Sequence, residues 1–522
     1  MRFPAEPFSA SRSRRRFLTT TSLAAAAVWA SRAEGRVLAN PSFSADPFAL
    51  GIASGEPTPD GVVLWTRLAP KPLEPDGGMP AEAVEVAWEI ADDEAFTKGV
   101  RRGTVTATPD WTHSVHVEVA GLEPARWYFY RFACGAATSP AGRTRTAPAA
   151  DRPVERLTFG IASCQNWEEG LYTAYGQMAE DDLDLILHLG DYIYEHPARD
   201  KKPRRHGPPT DSLAGFRARH ALYKTDPLLQ AAHVACPWVV TWDDHEVEND
   251  YAGVFPALQG STPEGLLERR AWGYRAYWEH LPLRVANLPD GPNMKLYRGL
   301  GWGSLAEFAI LDTRQYRTDQ PCGNGIKAPC GEELRAEATL TGPEQEAWLL
   351  GRIHDSGARW NFVAQQVMMA RIDRASGPPE AYSMDQWPGY ERQRRRVLEA
   401  IAARPEANGI VLAGDIHSHW ANDLVIDFDG GPPRVVAAEI VGTSISSGGN
   451  GTASPPSQEA ILAENPPVRF HSQQRGYVRV GVNPEAVRAD FEVVDFVDRP
   501  GGTVSTAASF RIENGRPGLM PA

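Results

Sequence analysis

Cysteine is scarce in this chain of 522 residues, which contains only Cys134, Cys164, Cys236, Cys322 and Cys330. Because five is an odd number, at least one thiol would stay unpaired in an oxidising compartment. Cys322 and Cys330 flank the short loop Gly-Asn-Gly-Ile-Lys-Ala-Pro, which can bring them within bonding range, so they are the best disulfide candidates. Cys134 and Cys236 lie among apolar neighbours, which predicts that both belong to the core.

No apolar run in the sequence is long enough to cross a bilayer, which needs ~20 residues. The weakly apolar stretch from Leu23 to Ala30 follows Ser-Arg-Arg-Arg-Phe-Leu at 13–18, which fits the twin-arginine pattern S-R-R-x-F-L. Residues 1–40 are therefore predicted to be a signal peptide, cleaved after Ala30 or Ala39; the alternative is a basic disordered tail. The twin-arginine translocase would then be a transient partner, and the mature protein would be periplasmic or extracellular.

Positive charge is not in excess: 53 basic and 66 acidic side chains leave a net charge of −13. This balance argues against a general binder of nucleic acid or of anionic membranes. The 42% hydrophobic content excludes global disorder, and the length favours two or three domains. An anionic substrate would need local cations to attract it, and metal ions are the obvious supply. We expect a monomer.

Two regions of different pattern follow the predicted leader. Residues 41–150 carry short β-rich runs divided by Gly and Pro turns, which predicts a β-sandwich of about 100 residues. Residues 151–522 alternate apolar strands with helical segments, which predicts an α/β domain. Helices are predicted over 172–179, 263–281, 342–355 and 390–404, and closing antiparallel strands over 477–482, 489–497 and 508–512.

Four apolar strands of the second region end at side chains that can bind metal. These strand ends carry Cys164; Asp191 with Tyr194; Asp243, Asp244 and His245; and Asp415 with His417. Ligands gather at the carboxyl ends of strands in α/β sheets, so the four ends can converge on one site. The alternatives to metal binding are structural roles: a cysteine in the core, aspartates in turns and packed aromatic rings. Each of these roles is reasonable for one motif taken alone.

The residue types limit the metal. A thiolate, a phenolate, an imidazole and a carboxylate suit Fe³⁺, whereas carboxylates with few imidazoles suit Ca²⁺ or another hard divalent ion. Tyr194 follows Asp191 by three residues, so both side chains can face the same side if the chain turns there. The Asp191 carboxylate could then bridge two metals.

These motifs resemble those of a known family. Gly190-Asp191-x-x-Tyr194 is similar to the G-D-x-x-Y signature of metallophosphoesterases related to purple acid phosphatases. Asp244-His245-Glu246 and Asp415-Ile416-His417 resemble their N-H-[DE] and H-x-H elements, with aspartate replacing asparagine and the first histidine. Cys164 stands where those enzymes usually have aspartate. These departures, with Gly-Thr-Ser-Ile at 442–445, are themselves the pattern of the alkaline phosphatase D family.

The resemblance implies a fold and a set of ligands. The fold is a metallophosphoesterase-type β-sandwich core flanked by helices, in four layers α/β/β/α, preceded by a small all-β sandwich of fibronectin or immunoglobulin type. Carried over by position, Cys164, Asp191, Tyr194 and His417 would hold Fe³⁺, and Asp191, Asp244 and Asp415 would hold Ca²⁺. One iron with one or two calcium ions is expected. The residues considered for a second calcium or for substrate are Asp243, Asn249, Gln366 and Arg314.

The implied activity is that of an exported alkaline phosphatase acting on phosphate monoesters and diesters. Metals would neutralise the phosphoryl oxygens, and a metal-bridging oxide or hydroxide would attack phosphorus directly. Catalytic roles fall to Asp191 and to His245, which would stabilise or protonate the leaving group; Arg314 could add a charge or be structural. The alternatives are a phospholipase D-like phosphodiesterase on the same cluster and, more remotely, a β-sandwich binding protein with a non-catalytic metal site. A metallo-oxidoreductase is disfavoured by the phosphatase-like motifs.

Overall fold

The structure of the chain is a computed structural model that describes residues 27–28, 36–197, 203–207, 209–375, 377–426, 434–456 and 458–522. Most of the predicted signal peptide, residues 1–40, lies outside these described residues. Within them, no helix is both long and apolar enough to cross a membrane.

The region before residue 150 is built from short strands, as predicted. Its strands are β1 (Ala27–Val28), β2 (Val37–Leu38), β3 (Ile52–Thr58), β4 (Gly61–Arg67), β5 (Ala83–Ala91), β6 (Arg101–Ala107), β7 (Ser114–Ala120), β8 (Trp127–Cys134), β9 (Ala137–Thr138) and β10 (Gly142–Arg145).

Two sheets of this region face each other across an apolar core. One contains β3, β4 and β7, and the other is ordered β10-β8-β5-β2 with β6 beside β5 and β9 beside β8. Leu64 and Val117 of the first sheet pack with Val86, Tyr130 and Phe132 of the second. The predicted N-terminal β-sandwich is therefore confirmed.

The sandwich is continuous with the rest of the molecule. Strand β3 lies parallel to a strand of the second region, with Gly55 opposite Trp238. A Cβ atom added at Gly55 would lie 2.5 Å from the carbonyl oxygen of Trp238, so this close approach requires glycine. The change of sequence pattern near residue 150 did not indicate that strands from both regions belong to one sheet.

The region after residue 150 alternates strands with helices. Its strands are β11 (Leu157–Ala162), β12 (Leu185–His188), β13 (Trp238–Val240), β14 (Arg298–Trp302), β15 (Ala306–Ile310), β16 (Ile326–Lys327), β17 (Trp360–Ala364), β18 (Tyr382–Ser383), β19 (Gly409–Ala413), β20 (His419–Val425), β21 (Val435–Val441), β22 (Val468–Ser472), β23 (Arg475–Val482), β24 (Ala486–Val494), β25 (Val504–Glu513) and β26 (Arg516–Pro521). Its helices are α1 (Thr173–Glu180), α2 (Leu213–Lys224), α3 (Pro227–Ala235), α4 (Pro263–His280), α5 (Gly342–Asp355), α6 (Glu391–Ala402) and α7 (Gln458–Glu464).

Two large sheets organise these strands. The first is ordered β1-β7-β4-β3-β13-β12-β11-β23-β24-β25-β26, and the second β14-β15-β17-β19-β21-β20-β22. Strands β11, β12 and β13 run parallel in the first sheet, as do β15, β17, β19 and β21 in the second. Strands β23 to β26 close the first sheet in antiparallel order, as the tail pattern predicted.

The two sheets pack face to face. Phe159 of β11 lies with its ring centroid 5.3 Å from that of Phe308 and 5.5 Å from that of Phe362, both on the second sheet. Helices α1, α3 and α4 cover the outer face of the first sheet, and α5 and α6 cover that of the second. This four-layer α/β/β/α arrangement confirms the predicted fold class.

The apolar spacing of the sequence does not predict helices α2 and α3. Helix α2 buries the charged or polar side chains of Arg219, His220 and Lys224, which obscures its apolar stripe. The capping residues were the available signal, because Ser212 and Asp226 each accept a hydrogen bond from the first turn of the following helix.

Candidate metal centre

The four strand ends singled out from the sequence meet at one place between the two large sheets. Cys164 follows β11, Asp191 follows β12, Asp244 follows β13, and Asp415 with His417 follows β19. Parallel strands present their carboxyl ends at the same edge of a sheet, so these side chains lie together although Cys164 and His417 are 253 residues apart in the chain (417 − 164).

The backbone takes a left-handed conformation at three of these four strand ends. Cys164, Asp191, Asp415 and His417 have positive φ angles of 59°, 57°, 65° and 53°. For a residue with a Cβ this left-handed conformation costs about 1–3 kcal/mol, and such strain concentrates at functional sites.

One group of ligand atoms unites Cys164, Asp191 and His417. A sulfur, a carboxylate oxygen and an imidazole nitrogen of these residues all lie within 4.8 Å of one another. Tyr194 completes the group, because its hydroxyl donates to Asp191 Oδ2 at 2.8 Å and lies 3.0 Å from His417 Nε2. The four residues predicted to hold iron are therefore neighbours in space.

A second group unites Asp191, Asp244 and His245, whose ligand atoms also lie within 4.8 Å of one another. Asp191 belongs to both groups. Its Oδ1 is buried and has no hydrogen-bond partner within the described part of the chain. A buried carboxylate oxygen without a partner is costly, so this atom fits a cation placed between the two groups.

Asp415 lies on the side of Asp244. Its Oδ2 accepts a hydrogen bond from Gln386 Nε2 at 3.3 Å. Its Oδ1 is 3.9 Å from Nη2 of Arg314, and that same nitrogen is 3.7 Å from Asp244 Oδ2. The carboxylates of Asp244 and Asp415 therefore share one cationic neighbour.

Burial makes the charged forms of the first group unfavourable while no metal is bound. It raises the pKa of Cys164 and of Tyr194 well above their usual values, and the nearby Asp191 carboxylate adds to both shifts. Burial, with the Arg475 cation, lowers the pKa of His417 to about 3. A thiolate and a phenolate here need a bound cation to be stable.

The second group has a different charge balance. Burial would raise the pKa of Asp244, but Arg314 and His245 outweigh it and lower that pKa below its usual range. Burial would lower the pKa of His245, but Glu195, Asp191 and Asp244 raise it well above its usual value. These neighbours therefore favour the anionic form of Asp244 and the cationic form of His245.

Two buried glutamates support this arrangement: Glu195, which no motif includes, and Glu246, the last residue of the element that resembles N-H-[DE]. Glu195 Oε2 lies 2.6 Å from His245 Nδ1. Glu246 accepts hydrogen bonds from the backbone N–H groups of Asp191 at 3.2 Å, of Asp243 at 2.8 Å and of Tyr192. Glu195 directly follows Tyr194, and that position was the only sign of it in the sequence.

The Gly-Thr-Ser-Ile element continues into a serine loop that supports Cys164. Ser447 Oγ donates to the carbonyl oxygen of Cys164 at 2.8 Å, and Ser446 Oγ donates to that of Asn166 at 2.8 Å. Arg475 donates to Ser444 Oγ at 2.5 Å and also to the Ser447 carbonyl oxygen. The loop thereby helps to hold the left-handed turn at Cys164.

The residues considered for a second calcium or for substrate occupy different positions. Gln366 is fully buried; its Oε1 accepts two hydrogen bonds from Thr313 and its Nε2 donates to Thr241 and to the Leu311 carbonyl, so no atom remains for a ligand. The backbone N–H of Asn249 donates to Glu195 Oε1 at 2.9 Å.

The cysteines fall into two classes. Cys322 and Cys330 form a disulfide with an S–S distance of 2.02 Å, which removes their sulfurs from metal binding. Cys134, Cys164 and Cys236 are free and buried, and Cys134 and Cys236 lie in apolar clusters as predicted.

Comparison with known proteins assigns the family. The family description "PhoD-like phosphatase" matches residues 159–491, and "PhoD-like phosphatase, N-terminal domain" matches residues 31–148. This chain belongs to the PhoD-like phosphatase family. It is accordingly a phosphoric ester hydrolase.

Relatives of this PhoD-like phosphatase agree over most of its length. It is 49% identical over 489 residues to "Alkaline phosphatase D" of Bacillus subtilis (strain 168), covering 92% of this chain and 84% of the relative. A solved "Structure of PhoD" superimposes with a TM-score of 0.90 at 49% identity, covering 92% of this chain and 93% of the other. The purple acid phosphatase PPD1 of yellow lupin seeds, with a TM-score of 0.55 and 12% identity over 89% of this chain and 74% of the other, shares the fold.

Proposed function

We propose that this PhoD-like phosphatase hydrolyses phosphate monoesters and diesters at a mixed-metal centre, outside the cytoplasm. The observation that carries the proposal is Asp191, whose carboxylate belongs to both ligand groups and has a buried oxygen with no hydrogen-bond partner among the described residues. Such a carboxylate is suited to bridge two cations.

The donor set fits two different metals. Sulfur, phenol, imidazole and carboxylate donors meet at Cys164, Tyr194, His417 and Asp191, a set that suits Fe³⁺. Asp244 and Asp415, with the shared Asp191, offer the hard oxygen donors that suit Ca²⁺. A second calcium with Asn249 among its ligands stays a prediction.

The bound metals would neutralise the phosphoryl oxygens and make water acidic enough to attack phosphorus at neutral pH. The chain itself contributes position and proton transfer. His245 lies within 4.8 Å of both Asp191 and Asp244, where it can donate a proton to the departing ester oxygen. The P–O bond to the alcohol breaks as the bond from the hydroxide oxygen to phosphorus forms, and the alcohol leaves with the proton from His245. The proton that water releases when it becomes hydroxide goes to solvent.

Export by the twin-arginine translocase is part of the proposal, with residues 1–40 as its signal. The Cys322–Cys330 disulfide supports it, because structural disulfides persist mainly in oxidising compartments. We propose that the exported protein is a monomer.

The experiment that tests the centre is metal analysis with a visible spectrum on protein exported by its native route. Parent protein should contain iron and calcium and show a phenolate-to-iron charge-transfer band. Cys164→Ala should lose iron and activity together, whereas Cys236→Ala, which replaces a buried free cysteine elsewhere, should keep both. Parent-level activity in Cys164→Ala would refute the proposed centre.

A further inference from the structure

The acidic half of the centre is organised around one fully buried arginine. Arg314, in the loop after β15, is 0% exposed. Its Nε donates to Asp243 Oδ1 at 2.5 Å, and its Nη1 donates to Asp385 at 2.9 Å. Two nitrogens of the guanidinium, Nε and Nη1, therefore bind two different aspartates.

The third nitrogen of this guanidinium faces the proposed calcium ligands. Nη2 lies 3.7 Å from Asp244 Oδ2 and 3.9 Å from Asp415 Oδ1, and it has no hydrogen-bond partner among the described residues. Four aspartates from three separate segments thus surround one positive group. Asp243 and Asp244 belong to the first sheet and Asp415 to the second, so Arg314 also ties the sheets together.

The backbone of Arg314 is held as firmly as its side chain. Its N–H donates to Asp312 Oδ1 at 3.0 Å, and its carbonyl oxygen accepts from the Gly253 N–H at 2.9 Å. Asp385 is held in addition by Arg317 Nη1 at 2.6 Å and by Gln320 Nε2 at 2.9 Å. The position of the guanidinium is therefore set by the fold before any ion binds.

We infer that the Arg314 guanidinium occupies a position that would otherwise bind a cation, and so limits how many divalent ions the acidic half of the centre holds. Four carboxylates around one point are the kind of oxygen cage that Ca²⁺ takes. Asp243 Oδ1 and Asp385 accept hydrogen bonds from the arginine, whereas Asp243 Oδ2 has no hydrogen-bond partner among the described residues. Because the guanidinium already neutralises the Asp243 carboxylate, we expect Asp243 to be a partner of Arg314 rather than a ligand of a second calcium. Arg314 is a positioning residue that acts through Asp244 and Asp415.

This inference rests on the proposed metal centre and extends it to the number of ions. Arg314 contacts none of Cys164, Tyr194 and His417 among the hydrogen bonds and ion pairs of the described residues, so the iron half of the centre should not respond to its replacement. A merely structural arginine would, when removed, disturb both halves together.

The test counts calcium and iron per chain in purified variants, with calcium-binding isotherms and the visible spectrum. Arg314→Ala should bind one calcium more than the parent and keep the iron band, and added calcium should recover its lowered Tm. Arg314→Lys should keep the parental count, because an ammonium remains as the cation. Arg394→Ala, which removes another fully buried arginine outside the centre, should lose stability without gaining an ion.

Asp243→Asn supplies a second, independent result and should fold, because asparagine can still accept the Arg314 Nε–H. We expect its calcium count to equal that of the parent. A calcium lost in Asp243→Asn, or a parental count in folded Arg314→Ala, would overturn the inference. Failure of the metal centre itself is distinct, since it would appear as parent protein without iron or as active Cys164→Ala.

Discussion

Glu195 holds the imidazole of His245 through a contact of 2.6 Å between Glu195 Oε2 and His245 Nδ1. The glutamate is buried, and its other oxygen accepts the Asn249 N–H at 2.9 Å, so it cannot turn away. This pairing directs the second imidazole nitrogen of His245 away from Glu195 and leaves it free to meet a departing ester oxygen.

The first prediction concerns this pairing. Glu195→Gln should lower kcat for alkyl phosphates by on the order of 100-fold, because a poor leaving group depends on a well-placed proton donor. The loss should be several-fold smaller for p-nitrophenyl phosphate, whose phenolate departs without a proton. Kinetics across esters of graded leaving-group acidity measure the difference, with metal content determined in parallel.

Glu168→Gln is the matched control for Glu195, because Glu168 is also a buried glutamate and pairs with His206 at 3.4 Å. It should show no dependence on the leaving group. An equal loss on all esters in Glu195→Gln would contradict the role given to the pair, and no dependence in His245→Gln would contradict the role of the histidine itself.

The second prediction concerns Glu246, whose carboxylate accepts backbone N–H groups from the loops after β12 and β13. In Glu246→Gln an amide NH₂ would face at least one of these donors, and an unsatisfied buried donor costs about 1–3 kcal/mol. We expect a lower Tm together with weaker binding of both iron and calcium, measured by thermal unfolding and metal analysis.

Glu439→Gln is the control that distinguishes a general loss of stability from a loss of metal binding in Glu246→Gln. Glu439 is a fully buried glutamate that accepts the N–H groups of Met369 at 2.5 Å and Ala370 at 3.0 Å, in the second sheet. Its replacement should lower Tm by a similar amount and leave metal content at the parental level. If both variants lose metal alike, Glu246 has no special connection with the centre.

The third prediction concerns Tyr194. Tyr194→Phe removes the phenol that contacts Asp191 and His417 but keeps the ring, so the fold should persist. The visible charge-transfer band should disappear while calcium content stays near that of the parent. Tyr130→Phe, which changes a buried tyrosine of the N-terminal sandwich, should keep the band. A band that survives in Tyr194→Phe would exclude Tyr194 as an iron ligand.

The fourth prediction concerns acid stability. His116 is buried against Trp278, with a ring separation of 3.8 Å, and burial lowers its pKa to about 3. Between pH ~6.5 and about 3 the unfolded chain binds a proton at this histidine and the folded chain does not. The free energy of unfolding should therefore fall as pH decreases through this window, by up to about 1.4 kcal/mol per pH unit for this group.

Denaturant unfolding of the parent and of His116→Gln at pH 8, 7, 6, 5 and 4 measures this contribution. The difference in unfolding free energy between the two proteins should change with pH in that window and stay constant above pH 7. A constant difference at every pH would show that His116 takes up its proton equally in both states.

Much of the centre was predictable because its ligands come directly after apolar strands. Cys164, Asp191, Asp244 and Asp415 each mark the point where a buried strand ends, and a strand end has a defined place at the edge of a sheet. The helices α1, α4, α5 and α6 were predicted within a few residues for a related reason, since their apolar spacing is clear.

The supporting residues were not predictable in the same way. Arg314 lies 70 residues after Asp244 and 101 residues before Asp415, and no local pattern says that it pairs with Asp243. Gln366 also follows an apolar strand, yet its amide is used entirely by neighbouring backbone and threonine groups. The position at a strand end therefore identified candidate metal ligands. It could not distinguish a ligand from a residue that only supports the surrounding loops.

The sequence by itself determined the strands, the polar residues at their ends and the family resemblance, because these depend on local hydrophobic pattern and on motifs of a few residues. Only the tertiary structure decided that Arg314 is surrounded by aspartates from three segments and that β3 of the first sandwich joins the sheet of the centre through Gly55. Those outcomes depend on which strand ends and loops meet when the two sheets pack, and contacts between distant segments have no local signature in the chain.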